Sequence, residues 1–124
     1  MPVKLRGKYI NLYTYRKNGQ PVKTTVLFYY DEGAGRVLVH TGHRSGKVKR
    51  IMRNPEVMIE EADIIGRPRG PRMKGRARVL EGDERDRALK LVTGCCLEKL
   101  ISYLVHDVIF RKKSDVVEIV PEDP

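Results

Sequence analysis

Hydrophobic and polar positions alternate with period two in several short runs of this chain, and recur at helical spacing in others. Val22, Thr24, Val26, Phe28 and Tyr30 share one face of a run over residues 22–30, the pattern of a half-buried strand. Tyr9 to Tyr15, rich in Tyr, Ile, Leu and Thr, predicts the strand before it. Asn18-Gly19 between the two is a strong hairpin signal. Asp31-Glu32-Gly33-Ala34-Gly35 predicts a second hairpin into Arg36–Thr41, making an antiparallel meander of three strands. Further strands are expected over Val57–Ala62, over Arg72–Leu80 and over Val116–Val120. In the Arg72–Leu80 run Met73, Gly75, Ala77 and Val79 oppose Lys74, Arg76 and Arg78. The small residues Gly75 and Ala77 imply a closely packed neighbour.

Helical spacing appears at Val48, Ile51 and Met52, an apolar face for a helix over 47–53 with Ser45 as its N-cap and Asn54-Pro55 as its stop. A second helix is predicted from the acidic start Asp83-Glu84-Arg85-Asp86 to about Val92, broken by Thr93-Gly94. Leu97, Leu100, Ile101, Leu104 and Val105 predict a third, whose apolar stripe suits core or dimer contact. The expected fold is mainly β with α: a six-stranded antiparallel barrel with packed helices, in a single domain spanning residues 1–124.

Composition narrows the class. The 124 residues are 40% hydrophobic and 33% charged, typical of a globular chain that can bury a core, and small enough that dimerisation often completes it. No apolar run reaches the length of a membrane span, the first residues lack a signal-peptide core, and cytoplasmic residence is the expectation. Cys95 and Cys96 are adjacent, which disfavours a disulfide, and they read as small apolar helix residues. His40, His43 and His106 lack metal-ligand spacing, and no catalytic triad pattern is present. No metal site is expected and no catalytic residue is assigned.

Charge changes the picture more. The formal net charge is +9, and residues 1–80 hold 18 of the 25 Lys and Arg but 6 of the 16 acids. Two windows, Arg44–Arg53 and Arg67–Arg78, contain five and six basic residues and no acid. Such a field favours a polyanionic partner, a phosphorylated cofactor or a nucleic acid.

The stretch Val39-His-Thr-Gly-His-Arg-Ser-Gly-Lys-Val-Lys-Arg-Ile-Met-Arg-Asn-Pro55 joins that charge to a binding geometry. It reads as a strand end, a turn bearing hydroxyls and glycines, and a basic helix. Thr41, Ser45 and Lys47 can converge on the helix N-terminus, where unpaired N–H groups and the helix dipole favour an anion. Gly42 and Gly46 permit close approach of the backbone. A phosphate is the simplest ligand for this corner, and reactive chemistry would come from the molecule that carries it.

The segment is similar to the phosphate-binding segment of the split-barrel flavin family that includes pyridoxamine 5′-phosphate oxidase: a strand ending in Thr, Ser four residues on, Lys two after that, and Asn-Pro closing the helix. The match is closer to the branch of deazaflavin-dependent oxidoreductases. Lys8-Tyr9-Ile10 through Thr14-Tyr15-Arg16-Lys17-Asn18-Gly19-Gln20-Pro21-Val22 resembles that branch, as do Gly66-Arg67-Pro68 through Gly70-Pro71 and Gly75-Arg76-Ala77-Arg78. The resemblance covers about residues 8–82. It implies a split β-barrel homodimer with cofactor at the subunit interface, binding FMN or deazaflavin (coenzyme F-420) and passing hydride to or from a small-molecule substrate. It would place Thr41, Ser45, Gly46 and Lys47 at the cofactor phosphate, with Arg50 and the backbone of Thr25, Val26 and Leu27 nearby.

Departures qualify the match. Thr25 stands where the branch has Pro, Gly46 stands where pyridoxamine phosphate oxidases usually have Arg, and the chain has no Trp. That enzyme's own activity is not expected. Two alternative readings are a basic β-barrel that binds nucleic acid, with Tyr9, Tyr13 and Tyr15 stacking on bases, and a flavin carrier without catalysis.

Overall fold

The computed structural model describes residues 5, 7–42, 44–95 and 114–122. These residues form seven strands and two helices: β1 Tyr9–Tyr15, β2 Pro21–Leu27, β3 Tyr29–Asp31, β4 Arg36–Gly42, α1 Gly46–Arg53, β5 Glu56–Ala62, β6 Met73–Leu80, α2 Gly82–Cys95 and β7 Ser114–Pro121. All strand pairs are antiparallel, in one sheet of order β2-β1-β5-β6-β7-β4-β3.

The expected count of six strands fails at Phe28. The alternating run 22–30 is two strands, because β2 pairs with β1 while β3 pairs with β4 at the opposite edge of the sheet. The first three strands are therefore two separate hairpins and not a meander. Phe28 is the single residue between the two edges, buried in the core, with its N–H donated to the Lys8 carbonyl. Since one residue joins the two edges, the sheet must curl until they meet.

The inner face of the curled sheet holds the main core. Ile10 and Leu12 (β1), Val37 and Val39 (β4), Val57 and Ile59 (β5), Ala77 (β6), and Val117 and Ile119 (β7) enclose Val48 and Ile51 of α1. Met52, expected on the same helix face, is 56% exposed, since one turn of apolar residues suffices to plug the sheet. Outside, α2 lays Ala88 and Val92 over Leu38, Leu80 and Val116. This helix runs through Thr93 and Gly94 to Cys95. A helical glycine costs only about 1 kcal/mol, too little to stop a packed helix. The expected helix over 97–105, and His43, Cys96 and His106, lie outside the described residues.

The close packing implied by Gly75 is present. A Cβ there would lie 2.9 Å from Ile119 Cγ2, 3.4 Å from the Val120 carbonyl and 3.5 Å from Val57 Cγ2. Among the described residues, no helix is long and apolar enough to cross a membrane, and no group of His, Cys, Asp and Glu is placed to hold a metal.

Candidate anion-binding corner

Strand alternation sends Val37, Val39 and Thr41 of β4 inward, so Thr41 ends that row as a buried hydroxyl. The chain then turns sharply. Arg44 adopts a left-handed conformation (φ 52°), unusual for a residue with a Cβ. Its N–H is donated to Asp115 Oδ2 at 2.8 Å, and the Ser45 N–H to the Gly42 carbonyl at 3.2 Å. Asp115 is buried and lies opposite Thr41 in the β4–β7 register, so β7 braces the turn. Asp115 was not a candidate from the sequence, although it is an acid at the start of a mostly apolar strand.

Ser45 occupies the N-cap position of α1, yet its side chain makes no capping bond. Its Oγ instead lies 3.3 Å from Thr41 Oγ1, which also accepts a bond from Lys47 Nζ at 2.9 Å. The three side chains thus meet at the first turn of α1, whose leading N–H groups have no partner within the helix.

Lys47 is half-buried, and its ammonium bonds to no carboxylate among the described residues. Burial, and then the positive charge of Arg50, hold it below the usual lysine range. Arg50 is itself lowered by burial and by the guanidinium groups of Arg16 and Arg53. Its Nε donates to Thr14 Oγ1 on β1 at 2.6 Å. One face of α1 therefore links the inner ends of β4 and β1 through two cations.

The second basic window is different. Of its cations, Arg67 pairs with Asp63 at 2.8 Å, Arg72 with Glu60 at 3.4 Å, and Arg78 with Glu84 at 2.7 Å and Glu118 at 3.0 Å. Half of that window is neutralised within the fold. In the first window Arg44 approaches Glu81 at 3.9 Å, while Lys47 and Arg50 of α1 pair with no carboxylate among the described residues.

A second polar cluster was missed by sequence reasoning. On the outer face of β1 and β5, Glu60 (3% exposed) accepts from the Tyr13 hydroxyl at 2.6 Å, from Asn11 Nδ2 at 3.0 Å and from Arg72 Nε at 3.4 Å. Arg72 also stacks over the Tyr13 ring at 4.3 Å. Asn11 Nδ2 and Lys23 Nζ both donate to the Gly66 carbonyl, and Thr25 Oγ1 donates to Asn11 Oδ1 at 2.8 Å. The partners lie up to 59 residues apart, so no local pattern announces them. Thr25 belongs to this outer cluster and makes no bond to the corner. Val26 packs against the inner core, and Leu27 ends β2. Gly46 opens α1, over the Arg50 guanidinium.

Burial alone would raise the Glu60 pKa, but the Tyr13 hydroxyl, the Asn11 amide and Arg72 outweigh it and hold the carboxyl below the ordinary range. A folded-state value below the unfolded one stabilises the fold above the unfolded pKa of about 4.3, and the gain fades as pH falls through the lowered value. Glu60→Gln should therefore cost about 1.5 kcal/mol at neutral pH, the scale of hydrogen bonds to one charged group. The gap to the native protein should narrow at acid pH. Urea unfolding at both pH values checks this, and an equal gap at the two would contradict it.

No family model matches the chain, and no curated protein sequence matches it. Solved structures do. HutZ, the heme storage protein from Vibrio cholerae, aligns over 94% of this chain and 83% of its own, with 16% identity and a TM-score of 0.67. A pyridoxamine 5′-phosphate oxidase-related, FMN binding protein from Nostoc punctiforme aligns over 92% and 71%, with 17% identity and a TM-score of 0.64. An F420 reductase aligns over 95% and 89%, with 18% identity and a TM-score of 0.59. At such identities the likeness speaks of the fold, and the fold of this chain is that of the pyridoxamine 5′-phosphate oxidase-like, FMN-binding split barrels.

Proposed function

We propose that this protein is a flavin- or deazaflavin-dependent oxidoreductase whose cofactor phosphate sits at the α1 corner. The observation that carries the reading is the junction of Lys47 Nζ, Thr41 Oγ1 and Ser45 Oγ, at 2.9 and 3.3 Å, beside the first turn of α1. The donor set fits a phosphate: two hydroxyls, an ammonium, free helix N–H groups, and no carboxylate paired with Lys47 among the described residues. The cofactor would supply hydride chemistry, which no residue of the corner can perform. The chain's own part is to bind the phosphate, orient the ring system and exclude water. FMN and coenzyme F-420 both carry the required phosphate, and the substrate is a small molecule.

The nucleic-acid reading is the weaker one. Tyr13 is committed to Glu60 and Arg72, and half of the second basic window is neutralised internally. The test is absorbance of the purified protein, mass spectrometry of any released chromophore, and titration of cofactor-free protein with FMN and coenzyme F-420. Binding of one at micromolar concentration is expected. Binding of neither overturns the reading, and a haem spectrum in its place would ally the chain functionally with the heme storage protein.

A second copy of the chain is part of the proposal, with the cofactor at the interface. Supporting it, Ile64 and Ile65 are 69% and 70% exposed on a hydrogen-bonded turn. Asp63 Oδ1 accepts the N–H groups of Ile65 and Arg67 at 3.0 and 2.9 Å, and Gly66, at φ 88°, is buried beneath. Burying an isoleucine gains about 1.5–3 kcal/mol. Each copy contributes both, so replacing them by Ser should weaken the dimer by at least about 100-fold. Light scattering on size-exclusion fractions reads this directly, and a monomeric native protein would remove the interfacial placement.

A further inference from the structure

Arg50 stands on the fourth residue after Gly46 and folds back over the first turn of α1. A Cβ on Gly46 would lie 3.0 Å from Arg50 Nη1 and 3.7 Å from Cζ and Nη2. The guanidinium therefore occupies the space that a side chain at position 46 would fill. Long helical side chains lean toward the N-terminus, but a cation gains nothing from the dipole there, since that end is already positive. Arg16, Lys47 and Arg53 add like charge around it, and no carboxylate pairs with Arg50 among the described residues. Left to electrostatics, Arg50 would swing into solvent. The bond from its Nε to Thr14 Oγ1 at 2.6 Å opposes that, and Thr14 is a buried hydroxyl at the inner end of β1 with no route to water of its own.

We infer that Thr14 is a positioning residue for the ligand phosphate, acting through Arg50, and that Gly46 provides the space that lets Arg50 reach the corner. With Nε engaged by Thr14, both Nη groups keep their N–H bonds for a ligand, in the planar fork that suits phosphate oxygens. Lys47 is held from β4 by Thr41 and Arg50 from β1 by Thr14, so two strands far apart in sequence aim two cations at one anion. This inference rests on the reading of the corner as a phosphate site.

The test compares each cofactor with its phosphate-free counterpart: FMN with riboflavin, and coenzyme F-420 with its deazariboflavin core. The ratio of the two affinities isolates the phosphate. Thr14→Val keeps the shape of the side chain and should lower that ratio about tenfold, the scale of losing one charge-assisted bond. Thr14→Ser should restore it. In an Arg50→Ala background, Thr14→Val should cause no further loss. Gly46→Val should mimic Arg50→Ala by displacing the guanidinium. If Thr14→Val fails to fold, Arg50→Lys carries the same test, since it keeps the charge, loses the fork, and should lower the ratio. An unchanged ratio in Arg50→Ala or in a folded Thr14→Val, or equal losses from Thr14→Val with and without Arg50, would overturn the inference. Failure of the native protein to bind either cofactor would instead overturn the phosphate site itself.

Discussion

Lys47→Ala should weaken binding of the phosphate-bearing cofactor by about 1.5–3 kcal/mol, roughly 10- to 150-fold, the measured range for a hydrogen bond to a charged group. The fold already bears the cost of half-burying this ammonium beside Arg50, with one hydroxyl as its partner. An anion repays that cost only when it binds, so the loss falls on affinity and not on the fold. Linkage gives the sign. A lysine lowered in the folded state opposes folding below its folded pKa, and the penalty vanishes above the unfolded value. The cofactor-free variant should therefore be at least as stable as the native protein. Native affinity should also decline with rising pH at values below the usual lysine pKa of about 10.4, and Lys47→Ala should lack that alkaline decline. Fluorescence titration across pH, paired with thermal unfolding, checks both. Unchanged affinity in a folded variant would mean that the phosphate lies elsewhere.

Gly75→Val should destabilise the protein by about 3 kcal/mol, at the upper end for forcing methyl groups into a filled core. The position is buried in β6, next to β5 and β7, and the first added carbon would already be 2.9 Å from Ile119 Cγ2. Ile119 is itself fully buried, and its branched Cβ leaves it little freedom to retreat. At about 4 °C per kcal/mol for a chain of this size, the melting temperature should fall by roughly 12 °C. A calorimetric scan showing a fall of only a degree or two would mean that β7 shifts freely against β6.

Much of this was legible in the sequence wherever one element carries its own signal. The alternation of Met73 to Leu80 against Lys74, Arg76 and Arg78 located β6 to within a residue, and Asn18-Gly19 located the first hairpin. Ser45 and Asn54-Pro55 bracketed α1 correctly, and the spacing of Thr41, Ser45 and Lys47 foretold their meeting. What escaped depends on partners distant in the chain. Period-two alternation passes through Phe28 unbroken, because it reports which face is buried and not which neighbour is paired. Glu60 looks like any strand glutamate until Asn11, Tyr13 and Arg72 are brought around it. Thr14 looks like a β-propensity residue until Arg50, 36 positions later, bonds to it. The Thr93-Gly94 pair misled because local propensity was asked to decide a helix end that packing decides.

The place of β7 between β6 and β4 bears on how the chain is made. Synthesis yields β2-β1-β5-β6 as one ribbon and β4-β3 as another, with nothing yet to join β6 to β4. Each ribbon has an inner edge that waits for the same strand, and that strand follows all the other described strands in the chain. Asp115, which braces the turn before Ser45, arrives with it. The anion corner is therefore completed only once β7 has left the ribosome, and until then the β4 and β6 edges that it pairs stay open to other nascent chains.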